Sequence, residues 1–153
     1  MTFEVSTDFA LIRSILANNR CYRRMVNDTA PAKFDAVDIG PREGVDFVIA
    51  SEQGSPMALF LVVASGKDEA EVHFCFVPEA WGATRQVAEA FVDWVWKHYP
   101  KLARLIGPAP SYNRLAIRLA KLVGFRQYSI KHDAGTKGGK PFHLLMLELR
   151  RPR

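Results

Sequence analysis

The order of hydrophobic and polar positions divides the chain into short runs of two kinds. Phe3 to Val5 alternates like a short strand, and Ser6, Thr7 and Asp8 then offer helix caps. From Phe9 to Asn19, Leu11, Ile12, Ile15 and Leu16 recur at helical spacing, with Asn18-Asn19 marking the end. Cys21 to about Asn27 fits a second short helix. Asp28 to Gly44 carries Pro31, Gly40 and Pro41 and reads as loop. Asp46 to Ser51 and Met57 to Ala64 are β-rich runs on either side of Glu52-Gln53-Gly54-Ser55-Pro56, which predicts a hairpin. Ser65-Gly66-Lys67-Asp68 makes the next turn, and Glu71 to Val77 the next strand.

After Val77 the period changes. From Ala83 to Tyr99, Arg85, Glu89, Asp93 and Lys97 mark a polar side opposite Val87, Phe91, Trp94 and Val95, which predicts an amphipathic helix ended by Pro100. Arg104 to Ile106 fits a short strand interrupted by Gly107-Pro108-Ala109-Pro110. Asn113 to Val123 is helical again, with Arg114, Arg118 and Lys121 outward, Leu115, Leu119 and Leu122 inward, and Gly124 as its stop. Strands near Phe125–Lys131 and Phe142–Leu149 follow, joined through the basic, glycine-rich segment His132 to Lys140. The order β-α-(α)-β-β-β-α-β-α-β-β predicts one sheet with helices on its faces, an α/β (α+β) architecture.

Composition narrows the function classes. The chain has 153 residues, 48% of them hydrophobic, which suits one globular domain with a real core. No apolar run approaches membrane-spanning length, and Met1-Thr2-Phe3-Glu4-Val5 lacks the basic-then-apolar pattern of a secretory signal, so a cytoplasmic protein is expected. Cys21 and Cys75 are then expected as thiols, with Cys75 packed in its strand rather than acting as a nucleophile. The four histidines, His73, His98, His132 and His143, are scattered, and no Cys/His spacing calls for a metal. Lys and Arg outnumber Asp and Glu by 21 to 16, a surplus that favours anionic partners without choosing among them. The densest basic spots, Arg20/Arg23/Arg24 and Arg150/Arg151/Arg153, have no interleaved aromatic residues and read as solvated surface rather than a nucleic-acid platform. The tryptophans Trp81, Trp94 and Trp96 read as core or rim packing.

One stretch carries chemistry. Glu71-Val72-His73-Phe74-Cys75-Phe76-Val77 is a strand that stops at Pro78 and Gly82, immediately before a helix. Unpartnered backbone N–H groups at such a helix N-terminus can bind an anion. Glu71 and His73 share one strand face by period-two alternation. A carboxylate in a partly apolar cleft is a stronger base than one in water, and imidazole exchanges protons near neutral pH. Read without chemistry, Glu71 is a solvated strand-start residue, His73 a hydrogen-bonded strand histidine, Asn113 a helix N-cap and Arg85 a solvated first-turn residue.

The strand Glu71–Val77, together with Asn113-x-x-Ala116 and Leu122-Val123-Gly124-Phe125, resembles the GNAT superfamily of acyl-CoA-dependent N-acyltransferases. Element order extends the resemblance over nearly the whole chain. It implies a single GNAT-like domain over residues 1–153, with a mixed, mostly antiparallel sheet of six to seven strands and about four helices. It implies an acetyl transfer from acetyl-CoA, as co-substrate, to a primary amine of a small molecule or protein. By the same resemblance Glu71 is the general base, with the backbone near Cys75, Phe76 and Val77 against the thioester; His73 is a second candidate base because it shares the strand face. Gly82, Ala83, Thr84, Arg85, Gln86 and Val87 would receive the pyrophosphate, and Asn113 would contact the cofactor. Trp81 falls in the loop that would flank it.

Two positions depart from the family pattern. The usual Arg/Gln-x-x-Gly-x-Gly/Ala loop is here Trp81-Gly82-Ala83-Thr84-Arg85-Gln86, retaining Gly82 alone. Ala120 stands where many members carry the tyrosine that protonates the departing thiolate. These departures keep open a non-catalytic GNAT-like module, of the kind found in bacteria and phage, that acts through protein contacts. The acyl acceptor and the oligomeric state, a homodimer included, are left open.

Overall fold

The computed structural model describes residues 1–18, 23, 27–30 and 39–153. Seven strands form one sheet in the order β1-β2-β3-β4-β5-β7-β6. They are β1 (Thr2–Val5), β2 (Val45–Glu52), β3 (Ser55–Ala64), β4 (Glu69–Phe76), β5 (Arg104–Pro110), β6 (Arg126–Lys137) and β7 (Lys140–Arg150). Among the described residues there are three α-helices, α1 (Phe9–Leu16), α2 (Thr84–His98) and α3 (Arg114–Val123). The short helix expected over Cys21 to Asn27 lies largely outside the described residues, as does Cys21. No helix among the described residues is long and apolar enough to cross a membrane.

Alternation along the central strands builds a core on each sheet face. On one face Val48, Phe60, Phe76 and Leu147 pack against Val87, Phe91 and Val95 of α2 and Leu119 of α3. The Phe60 and Phe91 rings stack there, with centroids 3.9 Å apart. On the other face Phe47, Ile49, Leu59 and Cys75 meet Ile12, Ile15 and Leu16 of α1. Asp8 caps α1, its Oδ1 accepting from Leu11 N at 3.1 Å.

The hairpin turns are tighter than their sequences suggest. Glu52 pairs directly with Ser55, so the β2–β3 connection is Gln53-Gly54, with φ of 51° and 79°. Lys137 pairs with Lys140 across Gly138-Gly139, with φ of 60° and 76°. Two successive left-handed residues give the turn whose twist matches the flanking strands, and glycine adopts it without Cβ strain. The expected loop His132 to Lys140 is therefore mostly strand: β6 runs on through a bulge to Lys137. The expected helix start at Ala83 is likewise displaced, because Pro78–Ala83 forms a 3-10 coil leading into α2 at Thr84.

The largest correction is β5, which continues through Gly107-Pro108-Ala109-Pro110. The two prolines are tolerated because they fall on one side of the strand. Arg104 N donates to Asp68 O on the β4 side, whereas Ser111 N donates to His143 O on the β7 side. By alternation the even positions of β5 face β4 and the odd ones face β7. Pro108 and Pro110 thus remove only N–H groups that would have pointed at β4, and the antiparallel β7 ladder persists to Pro110↔Leu144. The parallel β4–β5 ladder ends at Glu71↔Ile106. Beyond it the strands separate.

The closed end below that gap is fastened by charge. Arg104 donates to Glu69 Oε2 at 2.6 Å and to Glu148 Oε2 at 2.5 Å, tying β5 to β4 and β7. The Tyr128 ring of β6 lies 4.6 Å from its guanidinium carbon. Arg151, expected as solvated surface, instead stacks on Trp96 and donates to the carbonyls of Trp96, Tyr99 and Leu102 at 2.9, 2.8 and 2.6 Å. Carbonyls at a helix end lack intrahelical donors, and a cation there complements the helix dipole. Arg151→Ala is expected to cost about 2 kcal/mol, read by denaturant unfolding and as a fall of about 4–8 °C in Tm.

Candidate functional site

Where β4 and β5 diverge, a cavity of about 140 Å³ opens between the strands, α2 and α3. Its walls are mostly apolar: Val72 and Phe74 from β4, Gly107 to Pro110 from β5, Phe91 and Val92 from α2, and Ala116, Ala120 and Val123 from α3. The face α3 turns inward corrects the sequence reading. Leu115 and Leu122, expected inside, are 64% and 45% exposed. Only Leu119 of the three leucines is buried, and the small Ala116 and Ala120 take the cavity side. Larger side chains turned inward would fill the space that the splayed strands create.

The cavity is bordered on β4 by unpaired backbone. Val77 N donates to Met57 O, so the odd positions of β4 bond β3 and the even ones face β5. The Cys75 amide therefore belongs to the β3 ladder, where Cys75 pairs with Leu59, and its thiol is buried against α1. Phe74 turns its N–H and C=O toward the gap, which makes it a donor position that side-chain patterns did not single out. The signal was present as the proline spacing in β5, which fixes where β4 loses its partner.

Glu71 and His73 come together. His73 Nε2 lies 2.9 Å from Glu71 Oε1, with both side chains rather more than one-third exposed. They project from the same sheet face as Cys75, opposite the α2 and α3 face. His73 also borders the cavity; among the described residues it is the one titratable residue lining it.

The expected pyrophosphate segment is compact. Ala80 N donates to Val77 O at 2.9 Å within the 3-10 coil, and Trp81 Nε1 donates to Phe76 O at 3.3 Å. A Cβ on Gly82 would meet nothing within 4 Å. The fold itself thus gives no steric reason for glycine there. Ala83 is the N-cap residue of α2 without a side-chain cap, and Thr84, Gln86 and the buried Val87 belong to the first turn of the helix. Arg85 donates to Glu89 Oε1 at 2.8 Å on the exposed helix face. Asn113 fulfils its simpler reading and more: its Oδ1 accepts from Ala116 N at 3.2 Å, and it lines the cavity. Among the described residues no group of histidine, cysteine, aspartate or glutamate could hold a metal ion.

No family model matches the sequence, and no curated protein is similar to it. Solved structures do match. The spermidine N-acetyltransferase from Vibrio cholerae, in complex with CoA and spermine, superposes with a TM-score of 0.76 at 14% identity, covering 97% of this chain and 94% of that one. The ribosomal-protein-alanine N-acetyltransferase from Brucella melitensis gives 0.73 at 17% identity over 99% and 100%. A GNAT-family acetyltransferase from Streptococcus pneumoniae gives 0.72 at 11% over 98% and 99%. The chain has the GNAT fold. The expected sheet of six to seven mostly antiparallel strands is the observed one, with β4–β5 the parallel pair.

A second polar cluster clasps the β6–β7 tip of this GNAT fold. Asp28 accepts from Gly138 N at 2.9 Å and Gly139 N at 3.0 Å, and Asp28 N donates to Thr136 O at 3.0 Å. The Gly139 amide, then the Thr136 side chain and the Gly138 amide, hold the Asp28 carboxyl below its ordinary pKa. A depressed carboxylate contributes its stabilisation above the unfolded-state pKa and loses it as pH falls through the folded one. The clasp is expected to persist at neutral pH and to open only below the usual aspartate range. Gly138 and Gly139 amide shifts in an NMR pH titration should inflect there, and in Asp28→Ala that inflection should vanish.

The gap has its own test. Pro108→Val with Pro110→Val restores two N–H donors aimed at β4. Amide exchange at Phe74 is expected to slow by about five- to tenfold, the effect of about one net hydrogen bond. Unchanged exchange would mean that the prolines do not hold the strands apart.

Proposed function

We propose that this chain is one catalytic domain that binds acetyl-CoA in the β4–β5 gap and transfers its acetyl group to a primary amine. The observation that carries the reading is the gap: a mostly apolar slot open between α2 and α3, with an unpaired β4 backbone edge along it. An extended amide-bearing arm such as pantetheine matches such an edge, because its amides can bond where β5 no longer does. The Phe74 N–H then points at the position where a thioester carbonyl would develop negative charge. Gly82 supports the same reading, since open space over a glycine suits an approaching phosphate better than it suits the fold. Glu71 and His73, on the opposite sheet face, supply the base that an incoming amine requires. The solved relatives that carry CoA, or act on spermidine or a ribosomal-protein alanine, support the class of reaction and leave this chain's acceptor open.

A second reading rests on the compact loop. A 3-10 coil satisfies some of its own amides, and Arg85 is engaged by Glu89, so the anion site is reduced. On that reading the domain is a non-catalytic module acting through protein contacts. A nucleic-acid role is less well supported, because Arg104, Arg151 and Arg85 are engaged within the fold.

Acetyl-CoA at a hundredfold over its Kd should add about 2.7 kcal/mol to stability, seen as a Tm rise of about 5–10 °C. Gly82→Ala should weaken acetyl-CoA binding about tenfold, about 1.4 kcal/mol. The same change should leave the unliganded domain as stable or slightly more so, because alanine limits the unfolded chain. No Tm response at millimolar acetyl-CoA would select the non-catalytic module.

A further inference from the structure

The reaction leaves one proton without an obvious carrier. The amine nitrogen must lose a proton as it is acylated, and the departing thiolate must gain one. The cavity wall offers almost nothing ionisable for either transfer, because β5 presents glycine, alanine and prolines, and α3 presents Ala116, Ala120 and Val123. His73 is the exception. It borders the cavity, and by alternation its side chain lies on the sheet face opposite α2 and α3.

We propose that His73 carries the proton in both directions, base toward the amine and acid toward the sulfur, with Glu71 as its positioning residue. The inference rests on the acyltransferase reading above. Its geometric basis is the bond of 2.9 Å between His73 Nε2 and Glu71 Oε1. A carboxylate accepts, so Nε2 donates, and the Nδ1 lone pair is left to take a proton. The step balances without a further reactant. The neutral amine nitrogen attacks the thioester carbon and forms the N–C bond. The surplus nitrogen proton moves to His73 Nδ1, and the imidazolium that forms is stabilised by the Glu71 carboxylate. As the tetrahedral adduct collapses, the C–S bond breaks with its electron pair on sulfur, and the imidazolium passes the same proton to it. The products are an amide, a thiol and neutral imidazole. One residue can serve both ends because His73 borders the cavity and carries its imidazole, bonded to Glu71, on the other sheet face.

The assignment reverses the order in which the two residues present themselves in the sequence. Glu71 resembles a base by position, but its Oε1 already accepts from the neighbouring imidazole, whose second ring nitrogen is left to take a proton. Its contribution is to hold the tautomer and to favour the charged intermediate.

The test uses the full chain, acetyl-CoA and hydroxylamine, a small amine that is neutral at pH 7, with thiol release above the protein-free rate as the readout. Heteronuclear NMR of the wild-type imidazole should show the Nε2–H tautomer. His73→Ala should lower kcat about a hundredfold, with acetyl-CoA Kd unchanged by calorimetry and with part of the rate restored by added imidazole. Glu71→Gln, whose amide oxygen still accepts from Nε2–H, should lower kcat about tenfold with KM for acetyl-CoA unchanged. Wild-type turnover in His73→Ala, a larger loss in Glu71→Gln than in His73→Ala, or the Nδ1–H tautomer would each overturn the relay and leave the acyltransferase reading standing. Acetyl-CoA binding without thiol release from the wild type would overturn the relay as well. Absence of acetyl-CoA binding to the wild type would remove both readings together.

Discussion

Two missing N–H groups shape the centre of this molecule. Pro108 and Pro110 sit at positions of β5 that face β4, while the alternate residues Gly107 and Ala109 keep the ladder with β7. A parallel pair that begins at Glu69↔Arg104 therefore ends at Glu71↔Ile106, and everything above it opens. Separation of two strands inside a sheet leaves polar backbone facing a void, which costs free energy unless water or a ligand satisfies it. The sheet tolerates the opening because its lower end is held by Arg104 between Glu69 and Glu148, and because β4 stays paired to β3 from Ala70 to Phe76 without a register shift. Rigid support on both sides localises the break.

The helices answer to the same opening. α3 is short and places alanines where a core helix would ordinarily place leucines, so that its inward face leaves room, while Leu115 and Leu122 are turned out to solvent. The surface they occupy is thus a consequence of what the inner face must avoid filling. α2 does the opposite: Val87, Phe91 and Val95 pack fully against Phe60 and its neighbours, fixing the wall from which the gap is measured. A well-packed helix and an under-filled one, side by side on the same sheet face, leave the slot with one firmly packed wall and one that gives room.

Much of this was legible along the chain, and the exceptions have a common cause. Element order, both helices after Val77 and the strand carrying Glu71 and His73 follow from periodicity, because burial on one face imposes a period. The errors fall where a residue's meaning depends on its partner rather than its own preference. Proline reads as an interruption, but only the side of β5 that it faces decides whether a ladder breaks. The His132 to Lys140 segment reads as loop, but two glycines suffice for the turn and the rest pairs with β7. Leucine reads as core, but an adjacent cavity reverses the preference. Arg151 reads as surface, but two carbonyls at the end of α2 and that of Leu102 beyond it accept from its guanidinium. Pairing across the sheet is the information that a one-dimensional pattern lacks.

The same distinction separates the two halves of the candidate site. The Glu71 and His73 relation was implicit in the sequence, since alternate residues of a strand share a face whatever the strand pairs with. The anion-binding half had no such guarantee. Whether Gly82 to Val87 presents amides outward depends on how the coil winds, and here Pro78 starts a tight turn that uses Ala80 N–H internally. The strand carrying Glu71 and His73 and the slot beside it therefore do not depend on how the coil after Pro78 winds. Binding of the proposed cofactor would then depend more on the slot than on the charged end, because the slot offers the Phe74 N–H and C=O and apolar contact along its length, whereas the 3-10 coil uses some of its own amides. On the function proposed above, the prolines of β5, rather than Gly82, would be the feature on which acyl-CoA recognition chiefly depends.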